Sequence, residues 1–224
     1  MGLWAIVPVK PLSSGKSRLS GVLSQDQRAL LNYAMLENTL KVLAKVKSVG
    51  RILVVSRDPS ALALARENGA RTVQEDGTPD LNMALRRATI VAQTYTARGV
   101  LILPADLPLI SPADIEQFLQ RGRNPPEVII APDRRMDGTN ALFVNPSGLI
   151  DYYFGPGSFH KHLESARACG ARTEICDLPS LEFDVDLPED LETLKHFDAD
   201  DSTIKKPQHK TSFFKKINHL LEAK

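Results

Sequence analysis

The stretch VLILPADLP, Val100–Pro108, decides how this chain is read. It is the strongest strand signal in the sequence: a continuous apolar run, too short for a helix, with an acid at its end. Upstream, Leu81–Arg98 has helical spacing and stops at Gly99. Downstream, Ser111-Pro112 opens a further helix, with Asp114 at its third position, ending near Gly122. Helix, buried strand, helix is the repeating unit of a parallel sheet covered on both faces.

The same unit recurs outward in both directions. Leu3–Val9 (LWAIVPV) reads as a first buried strand. Ser24, with Gln27 three residues on, opens a helix that Gly50 is expected to end. Arg51–Ser56 (RILVVS) is a strand, and Asp58-Pro59 begins a helix stopped by Gly69. RTVQE is a weaker strand and EVIIAP a further one. The second half is less regular: ALFV, a helix near Phe159–Cys169, RTEICDL, then SLEFDVDLPEDLETL, where a mixed sheet edge is expected. The fold class is α/β, a three-layer, Rossmann-like sandwich with a mostly parallel, partly mixed sheet. Ligands of such sheets bind beyond the carboxyl ends of the strands. That directs attention to Lys10–Arg18, Glu75–Asn82, Ala105–Leu109 and the loops after Pro132.

Composition narrows the class. The 224 residues are 42% hydrophobic, with 28 lysines and arginines against 27 acids, a net charge of +1. This is enough for one well-buried domain with an appendage, and it carries no overall signature of a nucleic-acid binder. Cys169 and Cys176 are the only cysteines and form no zinc or disulfide framework. No apolar run approaches the ~20 residues of a membrane span, and Met1–Val9 is too short for a signal peptide. The cytoplasm is the expected compartment.

Asp106 follows the apolar run directly, and Asp184 and Asp186 (FDVD) are two apart, on one side of an extended segment. Three carboxylates at a sheet rim form a hard-oxygen site suited to magnesium, which keeps waters and bridges to substrate phosphates. The bland alternative, that DLPED caps the helix at Glu189–Lys195, accommodates Asp186 but neither Asp184 nor Asp106.

After the first strand comes VPVKPLSSGKSRLSG, Val7–Gly21. It ends like a P-loop in Gly-Lys-Ser, but Lys10 stands where that loop needs its first glycine. Lys10, Lys16 and Arg18 beside a carboxylate site describe instead a polyphosphate clamp. Two donor-rich stretches remain. APDRRMDGTNALF offers Thr139 and Asn140, and YFGPGSFHKHL offers Gly155, Gly157 and Ser158 at a helix start that favours an anion. They suggest a second, anionic substrate. His160 and His162 are expected on the helix surface.

After Leu194 the character changes. DADDSTIKKPQHK reads as a linker, and TSFFKKINHLLEAK places Phe213, Phe214, Ile217, Leu220 and Leu221 on one helical face. From Ala199 onward six lysines stand against three acids. The domain division is therefore 1–196, then 197–224 as polar linker and basic amphipathic helix. The expected role of that helix is docking on its own domain or on a twin subunit, with a membrane surface or a partner as the other reading. From the polar break alone, the helix is expected to be dispensable for chemistry.

Taken together, WAIVPVKPLSSGKSRL, LVVSRDP, LILPADLPL, DRRMDGTNAL, FGPGSFHKH and FDVDLPEDL, in this order, resemble the 2-phospho-L-lactate guanylyltransferase family of the deazaflavin coenzyme pathway (the CofC/FbiD group). The resemblance covers about Leu3 to Leu194 and leaves the tail outside. It implies a nucleotidyltransferase-type fold, magnesium, and transfer of GMP from GTP to a small phospho-acid with release of pyrophosphate. Acceptors in the family are 2-phospho-L-lactate, phosphoenolpyruvate or 3-phosphoglycerate. Carried over position by position, Asp106, Asp184 and Asp186 match the metal-binding acids, and Lys16 and Arg18 the triphosphate loop, with Lys10 beside them. Thr139, or Asn140 in its place, Gly155 and Ser158 match the acceptor region. Asp80-Leu81-Asn82 stands where the family often has Gly-Leu-Asn, on the loop toward the base. Asp80 reads either as a helix cap or as an acceptor for the N–H edge of guanine.

The implied partners are GTP and a small phospho-acid, with room for a homodimer and for hand-off to the next pathway enzyme. Two other readings stand beside this one. One is another nucleotidyltransferase or sugar transferase of the same architecture. The other is a non-catalytic nucleotide-binding protein acting through its C-terminal helix.

Overall fold

Successive strand residues point to opposite faces of a sheet, so a strand apolar at every position must be covered twice. The computed structural model, which describes residues 2–199 and 213–219, shows that cover. Its strands are β1 (Leu3–Val9), β2 (Val49–Ser56), β3 (Arg71–Gln74), β4 (Val100–Ile102), β5 (Glu127–Pro132), β6 (Thr139–Asn145) and β7 (Arg172–Ile175). Its helices are α1 (Gln25–Leu43), α2 (Pro59–Glu67), α3 (Leu81–Thr94), α4 (Pro112–Gln120), α5 (Ser158–Ala168), α6 (Pro179–Glu182) and α7 (Pro188–Ala199). They form one seven-stranded sheet in the order β3-β2-β1-β4-β6-β5-β7.

Alternation along the strands divides the core. Ala5, Val7, Ile52, Val54 and Leu101 pack with α1, α2, α4 and α6 on one face. Trp4, Ile6, Leu53, Val55 and Ile102 pack with α3 and α5 on the other. The result is the expected three-layer sandwich.

The sheet is mixed, but not at its edge. β6 runs antiparallel to both neighbours, β4 and β5, while the edge strands β3 and β7 pair in parallel. An antiparallel β6 needs only the short connection from β5, and this brings Thr139 to the rim where the parallel strands end. The carboxyl ends of β1, β2, β3, β4, β5 and β7 and the start of β6 thus share one rim.

Three boundaries differ from the sequence reading. α1 stops at Leu43, and Gly50 lies inside β2, where an added Cβ would stand 3.5 Å from the Gly2 Cα. α3 ends at Thr94 rather than Arg98. Thr96 takes the left-handed conformation (φ 59°), Thr96 N–H donates to Gln93 O and Ala97 N–H to Ala92 O. That is a Schellman cap with threonine in the place glycine usually fills. FDVD is not a sheet strand but a link between α6 and α7.

A third apolar cluster lies outside the two sheet faces. Leu19, Leu23, Leu31, Met35, Phe183, Val185, Leu191 and Leu194 gather there with Phe213, Phe214 and Ile217. Residues 213–219 are helical and bury those last three side chains, and Lys216 pairs with Glu37 of α1 at 2.8 Å. The C-terminal segment therefore docks on its own chain, the first of the two roles expected for it. Leu220, Leu221 and the linker from residue 200 lie outside the described residues.

Candidate active site

The basic loop is a braced structure. Leu12 N–H donates to Asp58 Oδ2 (2.7 Å), while Asp58 Oδ1 caps α2 through Ser60 N–H. Asn32 of α1 donates to Leu12 O (2.7 Å). Gly15 is needed for closeness, since a Cβ there would stand 2.6 Å from the Asn32 amide nitrogen. The strained residue is its neighbour: Lys16 adopts φ 56°, ψ 42°. A non-glycine residue in this region costs about 1 kcal/mol or more and persists only where its surroundings hold it.

What holds Lys16 is a pair of acids. Its ammonium lies 3.1 Å from Asp186 Oδ1 and 3.4 Å from Asp106 Oδ2, with the side chain only 6% exposed. Burial alone would depress its pKa, but Asp106 and then Asp186 outweigh it, and the pKa is raised. Asp184 is the complementary case. Burial first, then the charges of Asp106 and Asp186, push its carboxyl up to about 6. The structure thus gathers Lys16, Asp106 and the Asp184/Asp186 pair from three places in the sequence. Lys10 and Arg18 are exposed on the same loop and, among the described residues, carry no ion pair.

The FDVD link is fastened by residues the sequence reading passed over. Val185 N–H donates to Asp106 O at 3.2 Å, tying the two acid segments together. Asp190, near the start of α7, takes the N–H groups of Asp186 (2.9 Å) and Leu187 (2.7 Å) on one oxygen. Its other oxygen pairs with Arg134, whose guanidinium lies 4.9 Å from the Phe183 ring centroid. Asp190, not Asp186, therefore caps α7. Its position three residues after Leu187 was the available signal. Asn140 gives both amide protons to Leu181 O and Glu182 O, holding α6 against β6.

The acceptor-region loops are clasped to each other. Asp137 takes Gly157 N–H at 3.1 Å on its carboxylate and Phe159 N–H at 3.0 Å on its carbonyl. Gly157 has φ 69° and precedes α5; Gly155 has φ 127°. Ser158 is buried as the first residue of α5. Thr139 is buried with Oγ1 3.0 Å from His162 Nδ1. His162 corrects an expectation: it is fully buried rather than on the helix surface, because its ring satisfies Thr139 and the Tyr153 N–H. His160 is exposed as expected. Asn82 exchanges two hydrogen bonds with the Phe154 backbone (2.7 and 3.2 Å), joining α3 to the same loop.

Asp80 caps α3 through Met83 N–H (3.0 Å). It also lines a cleft of about 290 Å³ with Glu75, Asp76, Gly77, Thr78, Met83 and Arg87. Arg57, at the end of β2, braces this loop through Glu75 and the Gly77 carbonyl.

Chemically, the rim presents a buried cation among carboxylates, two exposed cations on a rigid loop, a donor-rich pair of loops and an acid-lined cleft. No helix among the described residues is long and apolar enough to cross a membrane.

Comparison with known proteins identifies the family. A family model described as guanylyl transferase CofC like matches residues 3–222, so the match takes in the C-terminal segment that the sequence reading left outside. The phosphoenolpyruvate guanylyltransferase of Rubrobacter xylanophilus is 43% identical over 195 residues, covering 87% of this chain and 94% of the relative. The 2-phospho-L-lactate guanylyltransferase of Methanothermobacter thermautotrophicus is 37% identical, covering 84% of this chain and 81% of its own. Among solved structures, a nucleotidyl transferase from Methanothermobacter superposes with a TM-score of 0.65 at 19% identity, covering 88% of this chain and 97% of that one. That likeness concerns the fold.

Proposed function

Because the chain belongs to the family of CofC-like guanylyl transferases, we propose that it transfers GMP from GTP to phosphoenolpyruvate, releasing pyrophosphate, in deazaflavin coenzyme biosynthesis. The observation that carries the reading is the Lys16 ammonium held between Asp106 and Asp186 at the rim where the parallel strands end. The acceptor rests on the 43% identical relative of that specificity. 2-Phospho-L-lactate is the second reading, favoured by the Methanothermobacter relative at 37%.

An acceptor phosphate oxygen bonds to the α-phosphorus of GTP as the bond to the β-phosphate oxygen breaks. The electron pair leaves with pyrophosphate. A phosphomonoester has a second pKa of about 6, so the nucleophile is already a dianion near neutral pH and needs no general base. The work left to the protein is alignment and charge stabilisation. Lys16 and Arg18 offer positive charge to the departing pyrophosphate, with Lys10 on the flank. Thr139, Gly155 and Ser158 receive the acceptor. In the cleft beside α3, carboxylates suit the N–H edge of guanine, whereas adenine presents an acceptor at the same place.

The acids fit a divalent ion. Among the described residues no group of three or more acidic, histidine or cysteine side chains is preset to hold one. Yet Asp106 and Asp186 already share one cationic group, and magnesium asks for only one or two carboxylates together with substrate phosphates. Asp106, Asp184 and Asp186 would hold it, and when bound it supplies Lewis-acid neutralisation of the triphosphate.

The test is incubation with GTP and magnesium plus phosphoenolpyruvate, 2-phospho-L-lactate or 3-phosphoglycerate separately, followed by mass analysis. A guanylylated phosphoenolpyruvate is expected. No product with any acid, or equal use of ATP, overturns the reading.

A further inference from the structure

His162 is a buried imidazole that the mechanism above does not use. Its two nitrogens face different loops. Tyr153 N–H donates to Nε2 at 2.9 Å, so Nε2 must carry a lone pair. A neutral ring then bears its proton on Nδ1, and that N–H donates to Thr139 Oγ1 at 3.0 Å. Burial pushes the ring's pKa down to about 4, which keeps it neutral. The rings of Phe154 and Tyr153, 5.0 and 6.0 Å away between centroids, fix its plane.

The consequence falls on Thr139. With Nδ1–H delivered to its oxygen, the hydroxyl keeps its own proton to give, and among the described residues nothing accepts it. We propose that His162 is a positioning residue for the acceptor: as the Nδ1–H tautomer it makes Thr139 a donor toward the substrate's anionic group and ties the Tyr153–Ser158 loop to β6. This rests on the guanylyl-transfer reading of the site. A hydroxyl committed as donor prefers the fully deprotonated phosphate of a small phospho-acid, which is the nucleophilic form. A hydroxyl free to rotate would accept from a protonated phosphate equally well.

The first test needs no turnover. Nitrogen-15 NMR of the histidine rings in the full chain at neutral pH should show His162 in the Nδ1–H tautomer. The Nε2–H tautomer, or an average of the two, overturns the proposal. The second test is kinetic. His162→Leu should raise the KM for the acceptor by about ten- to hundredfold, the range of a lost hydrogen bond to an anion, and leave the KM for GTP within about twofold. His162→Asn, which restores an N–H near Nδ1, should recover part of that loss. In a Thr139→Val background His162→Leu should add little, because the shared interaction is already gone. A parallel rise of both KM values, or full additivity of the two substitutions, overturns the proposal. Should wild-type protein use none of the three acids, the guanylyl-transfer reading fails, and the NMR result still judges the tautomer alone.

Discussion

Phe214→Ala tests whether the C-terminal helix belongs to the active site. Phe214 is 2% exposed and Ile217 fully buried, in one cluster with Leu19, Phe183 and Val185. Leu19 stands three residues after Lys16, and Phe183 and Val185 flank Asp184, so the cluster backs both halves of the Lys16–Asp186 contact. Truncating a buried phenylalanine costs about 3–5 kcal/mol, a large share of a total stability of about 5–15 kcal/mol. Urea unfolding reads that loss directly. If about 5 kcal/mol remains, fewer than about one molecule in a thousand is unfolded, and unfolding alone leaves turnover unchanged. Misplacement of about 1 Å at a reacting centre, in contrast, can cost about a hundredfold. We therefore expect turnover, measured as pyrophosphate release well below the melting temperature, to fall by about tenfold or more in a protein that remains folded. Two results refute the reasoning. A stability within about 1 kcal/mol of wild type would mean the helix is not docked as described. A loss of about 3–5 kcal/mol with full turnover would mean the docking is structural only, and the tail dispensable for chemistry as its polar linker suggested.

Further outcomes follow from the same contacts. Asp186→Asn keeps shape and removes one of the two charges on Lys16; turnover should fall by about a hundredfold or more while thermal unfolding moves little, since the Asp186 side chain is 43% exposed. His162 titrates at about 4 when folded and about 6.5 when unfolded, so the unfolded state binds its proton first as pH falls. Its contribution is whole above pH ~6.5 and decreases through the folded value, by about 3 kcal/mol at pH 4. Urea midpoints should show this acid slope in wild type and a shallower one in His162→Gln. Asp80→Gly loses a cap to a residue that costs only a few tenths of a kcal/mol there; GTP over ATP discrimination that persists assigns Asp80 to the cap alone, and discrimination that falls assigns it to the base.

Local devices were legible in the chain itself. The capping boxes Ser24/Gln27 and Ser111/Asp114 both form, and Asp58-Pro59 opens α2, because each involves only the next few residues. The apolar run ending at Asp106 placed that acid at a strand's carboxyl end for the same reason. Sequence motifs in order also carried the family. The sequence was silent where the partner is remote. Lys16 meets Asp186 across 170 positions, and Arg134 meets Asp190 across 56. No periodicity records such pairs, since the hydrogen-bonding capacity of a side chain is visible in sequence but its partner is not. His162 is the clearest instance. An isolated histidine at helical spacing reads as surface, and only the fold, by carrying the start of β6 and the Tyr153 turn to its two nitrogens, buries it and selects its tautomer. The amphipathic face of the C-terminal helix was likewise written in the sequence. Tertiary structure decided what it covers, because an apolar stripe is attracted to any apolar surface alike, and only close packing with Leu19, Phe183 and Val185 singles out one.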